Sequence, residues 1–183
     1  LEWQHKIGSV AINRLSYSLG RGAAASANYG GAGDPKADSS TRRAMLMNHI
    51  DFQLTDNLGG QLVALREIQS HPSPEANLTW TSIGGRLTYA LTDNLRLIGE
   101  LGYDRVTPAA GPTRQLTKLT VAPALALKSE FWSRPELRFY YTYANWNSAA
   151  QEAAALGGAL SSAGEYGAAT HGHKAGIQIE AWW

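Results

Sequence analysis

The strongest constraint on this chain is a two-residue rhythm in which one phase is apolar and the other charged. Residues i and i+2 of a strand share a face. Over 172–183, Ala175, Ile177, Ile179, Ala181 and Trp183 therefore lie on one face, and Gly176, Gln178, Glu180 and Trp182 on the other. Over 131–147 the face of Phe131, Pro135, Leu137, Phe139, Tyr141 and Tyr143 opposes that of Trp132, Arg134, Glu136, Arg138, Tyr140 and Thr142. The same division sets Ile83, Leu87, Tyr89 and Leu91 against Trp80, Ser82, Arg86 and Thr88, and Leu95, Leu97, Leu101 and Tyr103 against Arg96, Glu100 and Asp104. Two arginines and a glutamate in a row would be costly to bury in a sandwich core without partners, whereas a water-filled interior accepts them. A soluble sandwich would also gather its rings on the apolar face. Here Trp132 and Trp182 sit with the charges.

Alternation bounded by turn residues marks eight segments, at 1–18, 42–54, 58–70, 78–91, 94–106, 114–128, 131–147 and 172–183. The first and third alternate less cleanly than the rest. Three connections are tight: Thr55-Asp56-Asn57, Thr92-Asp93-Asn94 and the residues around Ser129. Four are longer: Gly20 to Thr41, His71 to Asn77, Thr107 to Thr113, and Ser148 to His171. Short turns on one side and long loops on the other are the pattern of an outer-membrane barrel whose short side is periplasmic. No run reaches the about 18 to 20 consecutive apolar residues of a spanning helix, and strands cross lipid only as a barrel, because lipid offers no partner to an open sheet edge. The expected fold is all-β, an antiparallel transmembrane β-barrel with about eight strands over 1–183 and no separate domains. The tight turns share a repeat: Leu54-Thr55-Asp56-Asn57-Leu58 recurs as Leu91-Thr92-Asp93-Asn94-Leu95. Asp-Asn pairs tolerate left-handed backbone and bond their own main chain, which suits two-residue hairpin turns, although such pairs also recur by chance in all-β proteins.

Other classes find little support. A formal net charge of +1 with dispersed Lys and Arg gives no reason for a nucleic-acid partner. Without cysteine there is neither a disulfide framework nor a thiolate metal site. His171 and His173 stand two apart but lack a third ligand, so a solvated loop pair is the simpler reading. Glu136 and Glu180 could suggest a glycosidase pair, yet nothing indicates a raised pKa or a useful separation. Asn77-Leu78-Thr79 matches a glycosylation acceptor, which has no meaning in a bacterial outer membrane. No phosphate loop or nucleophile motif is present, so neither catalysis nor a cofactor is expected. The chain opens inside a strand at Leu1, without initiator Met or leader, as processing or truncation would leave it.

Four stretches carry a resemblance. Ile98-Gly99-Glu100-Leu101-Gly102-Tyr103-Asp104, Trp132-Ser133-Arg134-Pro135-Glu136-Leu137-Arg138, Thr142-Tyr143-Ala144-Asn145-Trp146 and Gln178-Ile179-Glu180-Ala181-Trp182-Trp183 together resemble the maltoporin family of carbohydrate porins, in its order and at similar spacing. The terminal Glu-x-Trp-Trp is the most specific piece. The resemblance implies an 18-stranded, trimeric barrel in the bacterial outer membrane, through which maltose and maltodextrin-type sugars diffuse along a spiral of aromatic side chains. Eighteen strands need on the order of 400 residues, so the chain corresponds to the C-terminal portion, with the constriction upstream of Leu1. The resemblance also implies contact with outer-membrane lipid and recognition of the C-terminal strand by the barrel-assembly machinery. The runner-up is a small closed eight-stranded barrel with a structural or adhesive role, its interior filled by side chains.

Two slide positions map onto Trp132 and Trp182. Where the family has a further aromatic, this chain has about Gln4, which shares the parity of Lys6, while Trp3 shares that of Leu1 and Ile7. A sugar ring offers an apolar C–H face and a rim of hydroxyls, and passage requires several weak contacts in series. Trp132 and Trp182 would supply flat platforms, and Arg134, Glu136, Arg138 and Glu180 would bond the hydroxyls or one another to stiffen the wall. Parity turns Trp182 inward and leaves Trp183 as a membrane anchor in the aromatic belt. Trp80 and Trp146 share the inner parity near the loop ends, as entrance platforms or loop anchors.

Overall fold

The computed structural model describes residues 1–26 and 33–182. Nine strands, β1 (Glu2–Ile7), β2 (Ala11–Arg21), β3 (Arg42–Thr55), β4 (Leu58–Ser70), β5 (Leu78–Ala90), β6 (Leu95–Pro108), β7 (Arg114–Ala126), β8 (Glu136–Trp146) and β9 (His171–Glu180), form one antiparallel sheet in chain order. Two short helices, α1 (Ala23–Ser26) and α2 (Ser148–Glu152), and one 3₁₀ turn at Pro74–Ala76 lie in the connections at one end. Among the described residues β1 and β9 do not pair, so the sheet is open and the closed eight-stranded alternative is not what the chain forms.

Six of the expected segments become strands within a few residues of their expected ends. The segment 1–18 instead divides into the hairpin β1–β2, with Ile7 paired to Ala11 and Gly8 at φ 57°. Parity could not expose this reversal. From Ile7 to Ala11 is an even step, so Trp3, Ile7, Leu15 and Tyr17 keep one phase through the turn. The segment 131–147 begins later than its alternation suggests, at Glu136, and residues 127–135 form a folded connection rather than a tight turn at Ser129. Pro135, which cannot donate to a ladder, stands at that boundary. His171 and His173 belong to β9 rather than a solvated loop, their rings against Tyr143 and Tyr141.

The repeated turns close by a mechanism other than the expected one. No described residue except glycine has positive φ, so Asp56-Asn57 and Asp93-Asn94 do not use left-handed backbone. The Thr55 hydroxyl accepts from the amides of Asn57 and Leu58 at 3.3 and 3.1 Å, and Thr92 does the same for Asn94 and Leu95 at 3.3 and 3.0 Å. Threonine thus supplies the side-chain acceptor that a short reversal needs.

The two faces differ in kind. Leu62, Ile83, Leu87, Leu101, Leu119 and Ile177 are exposed on one side. The opposite side is sheltered and polar. Opposed partners place Gln61, Arg86, Glu100, Thr120, Thr142 and Lys174 in a single row across β4 to β9. Arg86 pairs with Glu100 at 2.6 Å, and the hydroxyls of Thr120 and Thr142 meet at 2.7 Å. A lone sheet shelters one face only by curving toward it, so the polar face is the inner, concave one. Toward the turn end a small floor of Ile98, Ala122 and Ala124 packs against Tyr140. The Tyr140 ring lies over Gly176, where a Cβ would come 2.6 Å from its hydroxyl.

Candidate functional site

At the turn end of the inner face the connection 127–135 folds back across the sheet. Its anchor is Arg96, on β6 and fully buried, whose guanidinium donates to the carbonyls of Phe131 at 3.2 Å and Ser133 at 2.9 Å and also to that of Glu130. Phe131, itself buried, donates its amide to Gln53 Oε1 at 3.0 Å, and its Cβ sits where a side chain on Gly59 would have to be, 2.8 Å away. Asn94 completes the attachment by donating to the carbonyls of Ala126 and Leu127, each at 3.0 Å. The connection is held largely through its main-chain groups, and Arg134 within it donates again to the carbonyls of Phe131 and Ser133, at 3.0 and 2.8 Å.

Behind it lies a continuous ionic network. Glu136 is buried on β8 between Arg96, at 2.7 Å, and Arg138, which grips its other oxygen. Arg138 reaches on to Glu180 of β9, and Arg134 meets the same carboxylate at 3.2 Å. Three guanidiniums therefore surround two carboxylates. Such pairing is required, because an uncompensated charge at these depths would cost several kcal/mol, on the order of 3 to 5. Arg134 also stacks over the Trp182 ring, its central carbon 4.5 Å from the centroid. Planar guanidinium suits both duties at once.

Trp132 and Trp182 are each half-exposed, with ring centroids 6.1 Å apart and planes inclined by 54°. Phe131 packs edge-on against Trp132 at 5.0 Å. Trp132 is presented by the connection rather than by a strand, and its other side borders a small cleft with Ser9, Ile12 and Asp51. Trp182 follows the end of β9 and turns toward Arg134 as its parity implied. All six residues singled out in the sequence, Trp132, Trp182, Arg134, Glu136, Arg138 and Glu180, meet in this one cluster. They divide into two exposed rings, a partly exposed Glu180, and three deeply set side chains in Arg134, Glu136 and Arg138. Arg96 is the member that sequence reasoning passed over. Its signal was present, an arginine two residues after a hairpin turn in the inner phase, but nothing local showed that residues 35 positions away would fold onto it.

Elsewhere the inner positions are less uniform. Gln4 is exposed on β1, paired across the hairpin with Arg14, and offers no ring; Trp3, in the other phase, stacks on His5 at 5.3 Å. Trp146 is buried beneath the loop 147–170 against Tyr166, which makes it a loop anchor. Trp80 donates its indole N–H to Asp104 at 2.8 Å. No group of three potential metal ligands occurs among the described residues. Trp183 lies outside them.

A curved antiparallel sheet, apolar outside and charged within, with half-exposed rings on the inner side, is the wall of a β-barrel channel. The sequence model of the LamB porin family matches residues 1–183, and the chain belongs to that family. Members are outer-membrane channels for sugars rather than enzymes, and trimers are typical of them.

Proposed function

We propose that this protein passes maltose and maltodextrin-type sugars down their gradient across the bacterial outer membrane, as a homotrimer, with Trp132 and Trp182 forming the turn-end portion of an aromatic slide. The observation that carries this reading is the pair of half-exposed indoles 6.1 Å apart on the charged face. Two inclined platforms at that spacing suit successive apolar faces of a curved oligosaccharide. Each contact is shallow, so the sugar is held briefly and released, which conduction requires. Glu180 is the ionic member with most exposure and would bond sugar hydroxyls. Arg134, Glu136 and Arg138, deeply set in the network, act chiefly by fixing Glu180 and the Trp182 ring. No cofactor or energy coupling enters. The exposed aliphatic face meets outer-membrane lipid, with β9 and the residues after it presented to the barrel-assembly machinery.

Block of single-trimer conductance by maltohexaose tests the proposal in the full-length protein carrying W132A or W182A. Losing one platform should weaken sugar affinity by about 1 to 2 kcal/mol, or roughly 5- to 30-fold. Unchanged affinity in both variants refutes the slide.

A further inference from the structure

A second cavity lies at the opposite, loop end of the inner face. It measures about 350 Å³ and is bordered by Trp80, Asp104, Arg114 and Gln115 on the strands and by Ala150 and Ala153 on the loop above. That volume is at the small end of ligand sites, enough for one or two sugar rings. Its floor is rigid. Trp80 and Asp104 stand on neighbouring strands β5 and β6, and the 2.8 Å bond from the indole N–H to Asp104 Oδ1 fixes both groups, while the second carboxylate oxygen accepts no hydrogen bond among the described residues. Among the described residues, the guanidinium of Arg114, at the start of β7, has neither an ion pair nor a hydrogen bond.

The roof is equally well held. Asn147 caps α2 by accepting from the Ala150 amide at 3.0 Å, and it also accepts from the Gln115 amide at 3.1 Å and donates to the Thr113 carbonyl at 2.7 Å. Gln151 ties α2 to the returning chain through the carbonyls of Gly167 and Ala169, at 3.1 and 2.9 Å. Trp146 under Tyr166 fills the space behind. The loop is thus built over the cavity, with alanine methyls on its underside.

We infer that this cavity is an entrance subsite that captures one end of a neutral oligosaccharide before it reaches the Trp132–Trp182 platforms. The inference rests on the sugar-channel reading above. Its chemistry is complementary to a pyranose in three ways: an indole for the C–H face, a carboxylate oxygen to accept from hydroxyls, and an unengaged guanidinium to donate to them. Apolar methyls above would exclude water without binding tightly. An aromatic ring sharing its cavity with one charge of each sign favours an uncharged polyhydroxyl ligand over an ion, since Asp104 and Arg114 offset one another.

The test uses the full-length trimer in planar bilayers, with maltohexaose added to one side at a time and block analysed for association and dissociation rates. W80A and R114Q should each slow association from the loop side about fivefold and leave association from the turn side unchanged. W80F, which keeps a ring, should recover most of the Trp80 effect, and all variants should remain heat-resistant trimers. Equal rates from the loop side in wild type, W80A and R114Q overturn the entrance subsite while leaving the slide intact. Loss confined to W132A and W182A does the same. Slowed loop-side entry in W80A and R114Q, with block unaltered in W132A and W182A, retains the subsite and removes the slide. Absence of block in the wild type overturns both.

Discussion

Replacing Arg96 by Met should show how much of the site depends on a residue that touches no solvent. Methionine fills much of the same space but removes the 2.7 Å pair with Glu136 and the hydrogen bonds to the carbonyls of Glu130, Phe131 and Ser133. Taking one partner from a buried ion pair costs about 3 to 5 kcal/mol. Glu136 keeps Arg138, which places the loss toward the lower figure, about 3 kcal/mol. Each of the three carbonyls loses one of two donors, keeping the Ser133 amide at 3.0 Å for Glu130 and the Arg134 guanidinium at 3.0 and 2.8 Å for Phe131 and Ser133. The connection should therefore loosen, and Trp132 with it. Two measurements separate these effects: urea unfolding of the full-length protein in lipid vesicles, and maltohexaose block of conductance. Stability should fall by about 3 kcal/mol and sugar affinity should approach that of W132A. The double variant R96M/E136Q, which withdraws the anion together with its partner, should lose less than the sum of the single changes, with a coupling of about 1 to 3 kcal/mol. Additive losses, or a stability change under about 1 kcal/mol in R96M, would refute the argument that paired burial organises this end of the wall.

Two further outcomes follow from the faces of the sheet. L119K places a charge among exposed aliphatics midway along β7 and should cost about 2 to 4 kcal/mol in lipid-embedded stability, whereas K118L, one residue away on the inner face, should cost almost nothing. G176A puts a methyl 2.6 Å from the Tyr140 hydroxyl and should destabilise by about 1 to 3 kcal/mol, with Y140A in the same chain relieving most of the clash when unfolding is measured.

How much of this was legible beforehand varies with the range of the interaction that decides it. Alternation marks β3, β5 to β7 and β9 well, and β4 less cleanly, because a strand between lipid and water obeys it at most positions. The same rule misleads where the backbone reverses without changing phase. At Gly8 the parity of Ile7 and Ala11 agrees, and only the positive φ of glycine betrays the turn. Phe131 to Pro135 also alternate, yet their hydrogen bonds go to Arg96 and Gln53 on distant strands, which no local pattern encodes. The Trp132–Trp182 pairing could be expected from resemblance and parity, but its support could not. Arg134 carries the phase of an inner strand residue while working as a lid over Trp182.

The network that spans Arg134, Arg138 and Glu180 also has a bearing on time. Glu180 arrives only with β9, and until β9 registers against β8 the guanidiniums of Arg134 and Arg138 lack that counter-ion and the Trp182 ring has no place beside Trp132. The aromatic pair is therefore completed by the pairing of β9 with β8, which brings the residue after β9 beside the connection before β8. A barrel wall whose last pairing has slipped by two residues would keep its apolar face outward and still lack the pair, so on the proposed slide the channel's competence for sugar would report on the register of β8 and β9.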